Sequence, residues 1–339
     1  PEFAGVVNQE TLKKMRDYTV ATSTMGITEH IAYDLFLVLI VLSGVLPWLT
    51  GEISSLGMNF TASGIVFFLL CYLALGVFET PFDLYSTFVI EKRFSFSTIT
   101  IGTWISDLLK SLLVSAVLLG VFLAVFLSLI VLAPRTWWLW AWLFFISFQL
   151  LVSWLYPVLI APLFNKFEPI EDKGLRERIR SLAESAGIHV TGIYRMNALK
   201  RSRHSNAYFT GLGKSKRIVL FDTLLENHTQ GEVLSVLAHE MGHWKLGHVW
   251  KQLMISSAVS LALFSGAFLV VNSAGFYSSF GFSSVTIYAG LFVLSIFAKP
   301  AAFLLSPIGA IVSRQFERQA DDYAYAQIRS PDADRKSVV

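Results

Sequence analysis

Residues 229–250 read TQGEVLSVLAHEMGHWKLGHVW, and the rest of the chain is organised around the His-Glu-x-x-His run at 239–243. Thr229 and Glu232 have the spacing of a capping box, in which a hydroxyl and a carboxylate satisfy orphan backbone N–H groups at a helix start. The spacing predicts a helix that begins there. Val233, Val236 and Leu237 recur with helical period, so the imidazoles of His239 and His243, four residues apart, stand one turn apart on one face. Two ring nitrogens can then reach one metal ion. Glu240 lies beside them, where its carboxylate can take a proton from an activated water without being a ligand.

A catalytic zinc site commonly has three protein ligands and one open position. An extended form of the motif would place a histidine at 249, but Val249 is there. His248 is five residues past His243, which on a continuous helix turns it well away from the ligand face; it is expected to support the site or lie at the surface. A better third ligand lies in SRQFERQADDYA, residues 313–324, where Glu317 and Asp321 are four apart on a predicted helix. Glu317 completes a His, His, Glu set. Asp321 can accept the N–H of a ligating imidazole and so fix its tautomer and orientation. Without the upstream motif, the same helix with Arg314, Arg318 and Asp322 would read as a solvated charged face.

HEMGHWKLGH at 239–248, SRQFERQAD at 313–321, NAYFTGLGKSKRIVLFDTLL at 206–225 and PFDLYSTFVIEKRFSFS at 81–97 resemble the type I CAAX prenyl endopeptidases, with weaker similarity over nearly the whole chain. These are integral-membrane zinc metalloproteases of the gluzincin type, with seven helical spans in a barrel that encloses a chamber. The resemblance implies that His239, His243 and Glu317 bind one zinc ion, that Glu240 is the general base and that Asp321 supports the site. It implies that Asn206, Ala207 and Tyr208 form an edge strand that holds the substrate backbone, and that the substrate is a prenylated CaaX peptide cut after the modified cysteine. The family also has one more span ahead of the point where this sequence starts. Beyond the third ligand it has a helical segment carrying a His and an Arg near the active site.

Composition points to membrane independently of any motif: 54% of the 339 residues are hydrophobic, 14% aromatic and only 15% charged. The single cysteine, Cys71, lies in an apolar stretch, which excludes a disulfide framework and a thiolate zinc site. The net charge of +3 is small, and the basic residues form no stripe interleaved with aromatics, so nucleic-acid binding has no support. The expected partners are a prenylated or hydrophobic peptide and membrane lipid. The oligomeric state is left open.

The chain is expected to begin with a polar interfacial segment, 1–30, followed by a four-span membrane region, 31–164, with apolar runs near 31–51, 63–88, 107–132 and 137–160. A zincin-like α/β catalytic region follows at 165–251, then a two-span region at 252–312, a third-ligand helix at 313–330 and a tail at 331–339. Each run is long enough to cross about 30 Å of hydrocarbon. Six spans place the N-terminal stretch, the 89–106 loop, the 165–251 region and the C-terminus on one side, which carries nearly all of the Lys and Arg. The opposite loops contribute only Arg135. The positive-inside rule makes the catalytic side cytoplasmic, in a bacterial inner membrane or the endoplasmic reticulum.

Within 165–251, a helix over 172–187 with Leu175, Ile179 and Leu182 on one face precedes a strand at 188–195. An edge strand at 206–210, a turn at 211–214 and an apolar strand at 217–222 follow, with Asp222 or Thr223 capping a short helix. A free edge beside a zinc helix can add an extended peptide as a further strand. His204 and Tyr208 can also donate to a developing oxyanion. Lys200, Arg201 and Arg203 read as a solvated basic loop. Three other functions fit parts of the pattern: a quality-control zinc protease of membrane proteins, an ion transporter with His and Glu at its site, and a proteolytically inactive zinc-bound scaffold. Against transport, the motif falls in the polar region and not at mid-membrane.

Overall fold

The computed structural model describes residues 8–210 and 216–328. The turn expected at 211–214 and the tail at 331–339 lie outside the described residues. In chain order the helices are α1 (Gln9–Leu42), α2 (Val45–Ser55), α3 (Phe60–Arg93), α4 (Ile101–Leu132), α5 (Trp137–Phe164), α6 (Lys173–Ser185), α7 (Asp222–Asn227), α8 (Gln230–Lys245), α9 (His248–Val270), α10 (Ala274–Ser279) and α11 (Ile287–Ile328). Among the described residues six of these, α1, α3, α4, α5, α9 and α11, are long and apolar enough to cross a membrane. Leu35, Leu39, Leu42, Phe303 and Leu304 on them are well exposed, which water would disfavour and hydrocarbon accommodates.

Two expected boundaries move. The polar stretch before residue 30 is no separate segment. Asn8 caps α1 by accepting the N–H of Thr11 at 2.7 Å, and no breaker interrupts the helix before Leu42. The apolar run expected over 31–51 instead breaks at Ser43 and Gly44 and restarts as α2. Likewise, the last span and the third-ligand helix are one 42-residue helix, α11, which continues through Pro300 and Pro307. Proline removes one donor and crowds the preceding turn. In lipid, leaving the helix would strand several backbone groups instead.

The chain divides into two compact units. The first comprises Pro1–Ile99, Ser115–Trp137 and Gly266–Ala298. Its interior is built by Phe67, Leu127 and Val293, all without exposed surface, with the Phe67 ring edge-on to Phe292 at 5.7 Å.

The second comprises Thr100–Val114, Trp138–Ser265 and Lys299–Val339, and contains the sheet. Its strands are β1 (Phe167–Pro169), β2 (Val190–Met196), β3 (Ala207–Thr210) and β4 (Lys216–Phe221), in spatial order β1-β2-β4-β3. The central pair β2 and β4 is parallel, and both outer pairings are antiparallel. Among the described residues β3 is therefore an edge. β1 was not expected: a three-residue strand ending in proline has no periodic signal to read.

One face of the sheet, with Ile193, Ala207, Ile218 and Leu220, packs on α6 through Leu175 and Ile179 and on α8 through Val233, Leu237 and Met241. Burying each of the valine, leucine, isoleucine and methionine side chains among them contributes roughly 1.5–3 kcal/mol. Asp172 caps α6 by accepting the N–H of Leu175 at 3.0 Å. The short helix α7 starts at Asp222, whose Oδ1 accepts the N–H of Thr223 in the first turn and the N–H of Leu199, each at 2.9 Å. The 198–203 loop is not solvated throughout. Arg201 makes a bidentate pair with Asp107 of α4, at 2.7 and 3.0 Å, and donates to Asn165 at 3.0 Å.

Candidate metal centre

Local sequence starts α8 where expected. The Thr229 hydroxyl accepts the N–H of Glu232, and the Glu232 carboxylate accepts the N–H of Thr229 at 2.7 Å, forming a complete capping box. Four turns of helix then carry the apolar side of α8 into the sheet core and leave His239 and His243 on the side that meets α11. Nothing separates the two helices at that point. A Cβ on Gly242 would stand 2.9 Å from Cα of Ala320 and 3.1 Å from its carbonyl oxygen, so the backbones touch because residue 242 has no side chain.

That approach brings Glu317, one turn before Asp321, against the histidine pair. One atom from each of His239, His243 and Glu317 lies within 4.8 Å of the others. The Nε2 atoms of His239 and His243 are 3.2 Å apart, and Oε2 of Glu317 is 3.3 Å from the first and 3.7 Å from the second. Ligands held tetrahedrally at 2.0–2.1 Å from zinc are separated by about 3.3 Å, so the three atoms stand at coordination spacing.

The proton inventory fits as well. Nδ1 of His239 lies 2.8 Å from Oδ1 of Asp321; a carboxylate can only accept, so Nδ1 carries the hydrogen and Nε2 presents a bare lone pair to the cluster. A bare Nε2 of His239 facing the Glu317 carboxylate is an arrangement that a cation between them favours. The residues present therefore fit a divalent metal of nitrogen and oxygen preference.

Glu240 sits beside the cluster on α8. Burial pushes its carboxyl above its ordinary value, with Glu317 adding to the effect and His239 opposing it. His243 shifts down, chiefly through burial and secondly through His239, so its imidazole stays neutral and ready to ligate.

Of the two places expected for His248, it takes the one at the site. It is 1% exposed and in contact with the site, its Nδ1 3.0 Å from Nδ1 of His243. What brings His248 to the site is a break in the helix. α8 ends at Lys245, Gly247 adopts φ +69°, and a separate helix, α9, starts at His248. The Gly immediately before His248 was the available signal.

The expected substrate edge is partly assembled. Ala207 begins β3 and packs in the same core as Leu237 and Met241 of α8. Asn206 precedes the strand; its carbonyl accepts the N–H of Phe221 at 3.0 Å and its side chain accepts the N–H of Ala207 at 2.8 Å. His204 is exposed, and its carbonyl accepts the Thr223 hydroxyl at 2.9 Å. Tyr208 points to the other face of the sheet. It packs there near Met196 and Val219 and lines a cavity of about 470 Å³ with Tyr194, Arg217 and Pro157. Burial raises its phenol to about 12. That direction, away from α8, does not suit an oxyanion donor.

A multi-span helical protein whose small mixed sheet backs a His, His, Glu cluster belongs to the membrane metalloproteases. Residues 1–166 match the family described as "CAAX prenyl protease N-terminal, five membrane helices", and residues 169–339 match "Peptidase family M48". The chain belongs to peptidase family M48 and is an integral-membrane metalloendopeptidase. It is 36% identical over 333 residues to the CAAX prenyl protease 1 homolog of Arabidopsis thaliana, covering 95% of this chain and 78% of that protein. Against the Homo sapiens homolog the identity is 33%, covering 96% and 78%. The crystal structure of S. mikatae Ste24p superposes with a TM-score of 0.89 at 32% identity, covering 96% of this chain and 80% of that one.

Proposed function

We propose that this protein is a zinc endopeptidase that cleaves prenylated CaaX C-terminal peptides at the cytoplasmic side of its membrane. The observation that carries the chemistry is the convergence of His239 Nε2, His243 Nε2 and Glu317 Oε2 at coordination spacing. These three residues would hold the zinc. A bound zinc ion supplies Lewis acidity, which makes a water acidic and polarises an amide carbonyl.

The remaining work falls to the chain's own groups. Glu240, whose raised proton affinity suits a group that must both take and return a proton, removes the proton of the attacking water and delivers it to the leaving amine. Asp321 holds the His239 ring in one tautomer and orientation. The unpaired side of β3, beginning at Ala207 and approached through His204 and Asn206, receives the peptide backbone as an added strand. The lysines and arginines gathered on the side of 165–251 support a cytoplasmic site. The substrate class rests on the relatives named CAAX prenyl proteases.

Metal content and cleavage of a farnesylated CaaX peptide, measured for the parent and Glu240→Gln, test the reading. Zinc in both, with cleavage reduced about 10²–10⁴-fold in the variant, is expected. Parent-like turnover by Glu240→Gln would remove the general base from the assignment. Equal cleavage of the same peptide without its prenyl group would remove the substrate class.

A further inference from the structure

The ring of His248 is fixed on three sides. It stacks on Phe316 with centroids 4.3 Å apart and planes 10° from parallel. Its Nε2 lies 2.9 Å from Oε1 of Gln319, and its Nδ1 lies 3.0 Å from Nδ1 of His243.

These contacts have a definite polarity. An amide oxygen carries no hydrogen, so Nε2 of His248 must donate to Gln319. A neutral imidazole has one N–H, which leaves Nδ1 of His248 bare and able only to accept. The hydrogen between the two rings therefore belongs to Nδ1 of His243. His243 is left with a bare Nε2, the atom that stands 3.2 Å from His239 Nε2 in the cluster. Reversing any hydrogen bond in this row would put a proton on Nε2 of His243 and block ligation.

We propose that His248 and Gln319 are positioning residues that fix the metal-ligating tautomer of His243, as Asp321 does for His239. The proposal rests on His239, His243 and Glu317 being the metal ligands. It gives α11 a second task. The helix that brings Glu317 also brings Phe316, Gln319 and Asp321, so one element supplies a ligand and the groups that orient both histidines.

Zinc dissociation constants of the full chain, measured by chelator competition, distinguish this role from simple core filling. His248→Phe keeps an aromatic ring to stack on Phe316 but offers no acceptor; His248→Asn loses the stack but places an amide oxygen near the position of Nδ1. Tautomer control predicts zinc affinity weakened about 10–100-fold in His248→Phe and recovered largely in His248→Asn. Core filling predicts the reverse order. Gln319→Leu and Gln319→Glu form a second pair, needed if His248→Phe does not fold: loss is expected with leucine and retention with glutamate, which still accepts. Parent-like affinity in both His248→Phe and Gln319→Leu would overturn the proposal while leaving the zinc site standing. A folded parent that binds no zinc would overturn both.

Discussion

Burial of Glu240 costs the metal-free fold stability, whereas Asp321 acts on the orientation of a neighbouring ring. The folded chain raises the proton affinity of Glu240 by burial, so the folded state binds that proton more tightly than the unfolded state. The metal-free protein therefore loses stability as pH rises from the unfolded to the folded pKa of this group, and the penalty is in full force at higher pH. Glu240→Gln removes the penalty. The metal-free variant should melt above the parent in neutral buffer, and the gap should close on acidification, as thermal unfolding at several pH values would reveal. A parent that melts at or above the variant throughout would contradict the burial argument. Asp321 acts through the 2.8 Å contact to His239. Asp321→Leu should weaken zinc binding about 10–100-fold in chelator competition, with little change in the helix that carries it, because the carboxylate is half exposed. Acid should strip the metal from the parent too, since protons compete for every ligand.

At the scale of elements, the contact of α8 with α11 at Gly242 decides whether the proposed ligand set closes. Gly242→Ala forces a methyl group against the backbone of Ala320, where no flexible side chain can yield. Overpacking of this kind costs about 1–3 kcal/mol. The helices should part, and Glu317 should leave coordination spacing. Zinc affinity in Gly242→Ala should therefore fall further than thermal stability alone would suggest; parent-like affinity would show that α11 can slide without losing the site. The features legible in the sequence were those set by neighbours along the chain. Thr229 with Glu232, His239 with His243 and Glu317 with Asp321 each lie within one turn, and their pairing follows from helical geometry. What could not be read depends on distant chain or on a single break: the one at Gly247 before His248, the short β1 strand that joins the sheet through β2, Arg201 finding Asp107, and α11 continuing through two prolines. The side of β3 that Tyr208 faces also depended on its pairing with β4.

At the scale of the molecule, the proposed substrate edge on β3 must be held steady while its region is joined to helices that lie in lipid. Within the second unit the segment leading into β3 is tied at three places. Arg201 grips Asp107 of α4 and Asn165 at the end of α5, Asp222 accepts the N–H of Leu199, and Thr223 donates to the carbonyl of His204. The Arg201 and Asp107 side chains are only 21% and 19% exposed, so water screens the pair less than it would a surface ion pair. Its worth lies between those of exposed and buried pairs, about 1–3 kcal/mol of coupling in a double-mutant cycle. Arg201→Ala and Asp107→Ala should each destabilise the chain, and the double variant should lose less than the sum, because either single change leaves its partner without a counter-charge. The functional consequence should appear in the handling of peptide. With the loop released, β3 would present a less ordered edge, so KM for a farnesylated CaaX peptide should rise in Arg201→Ala while zinc content stays at the parent level. Additive losses in the cycle would show that the two charges are independent. An unchanged KM beside a clear loss of stability would mean that the ion pair holds the membrane helix and the loop together without setting the strand edge.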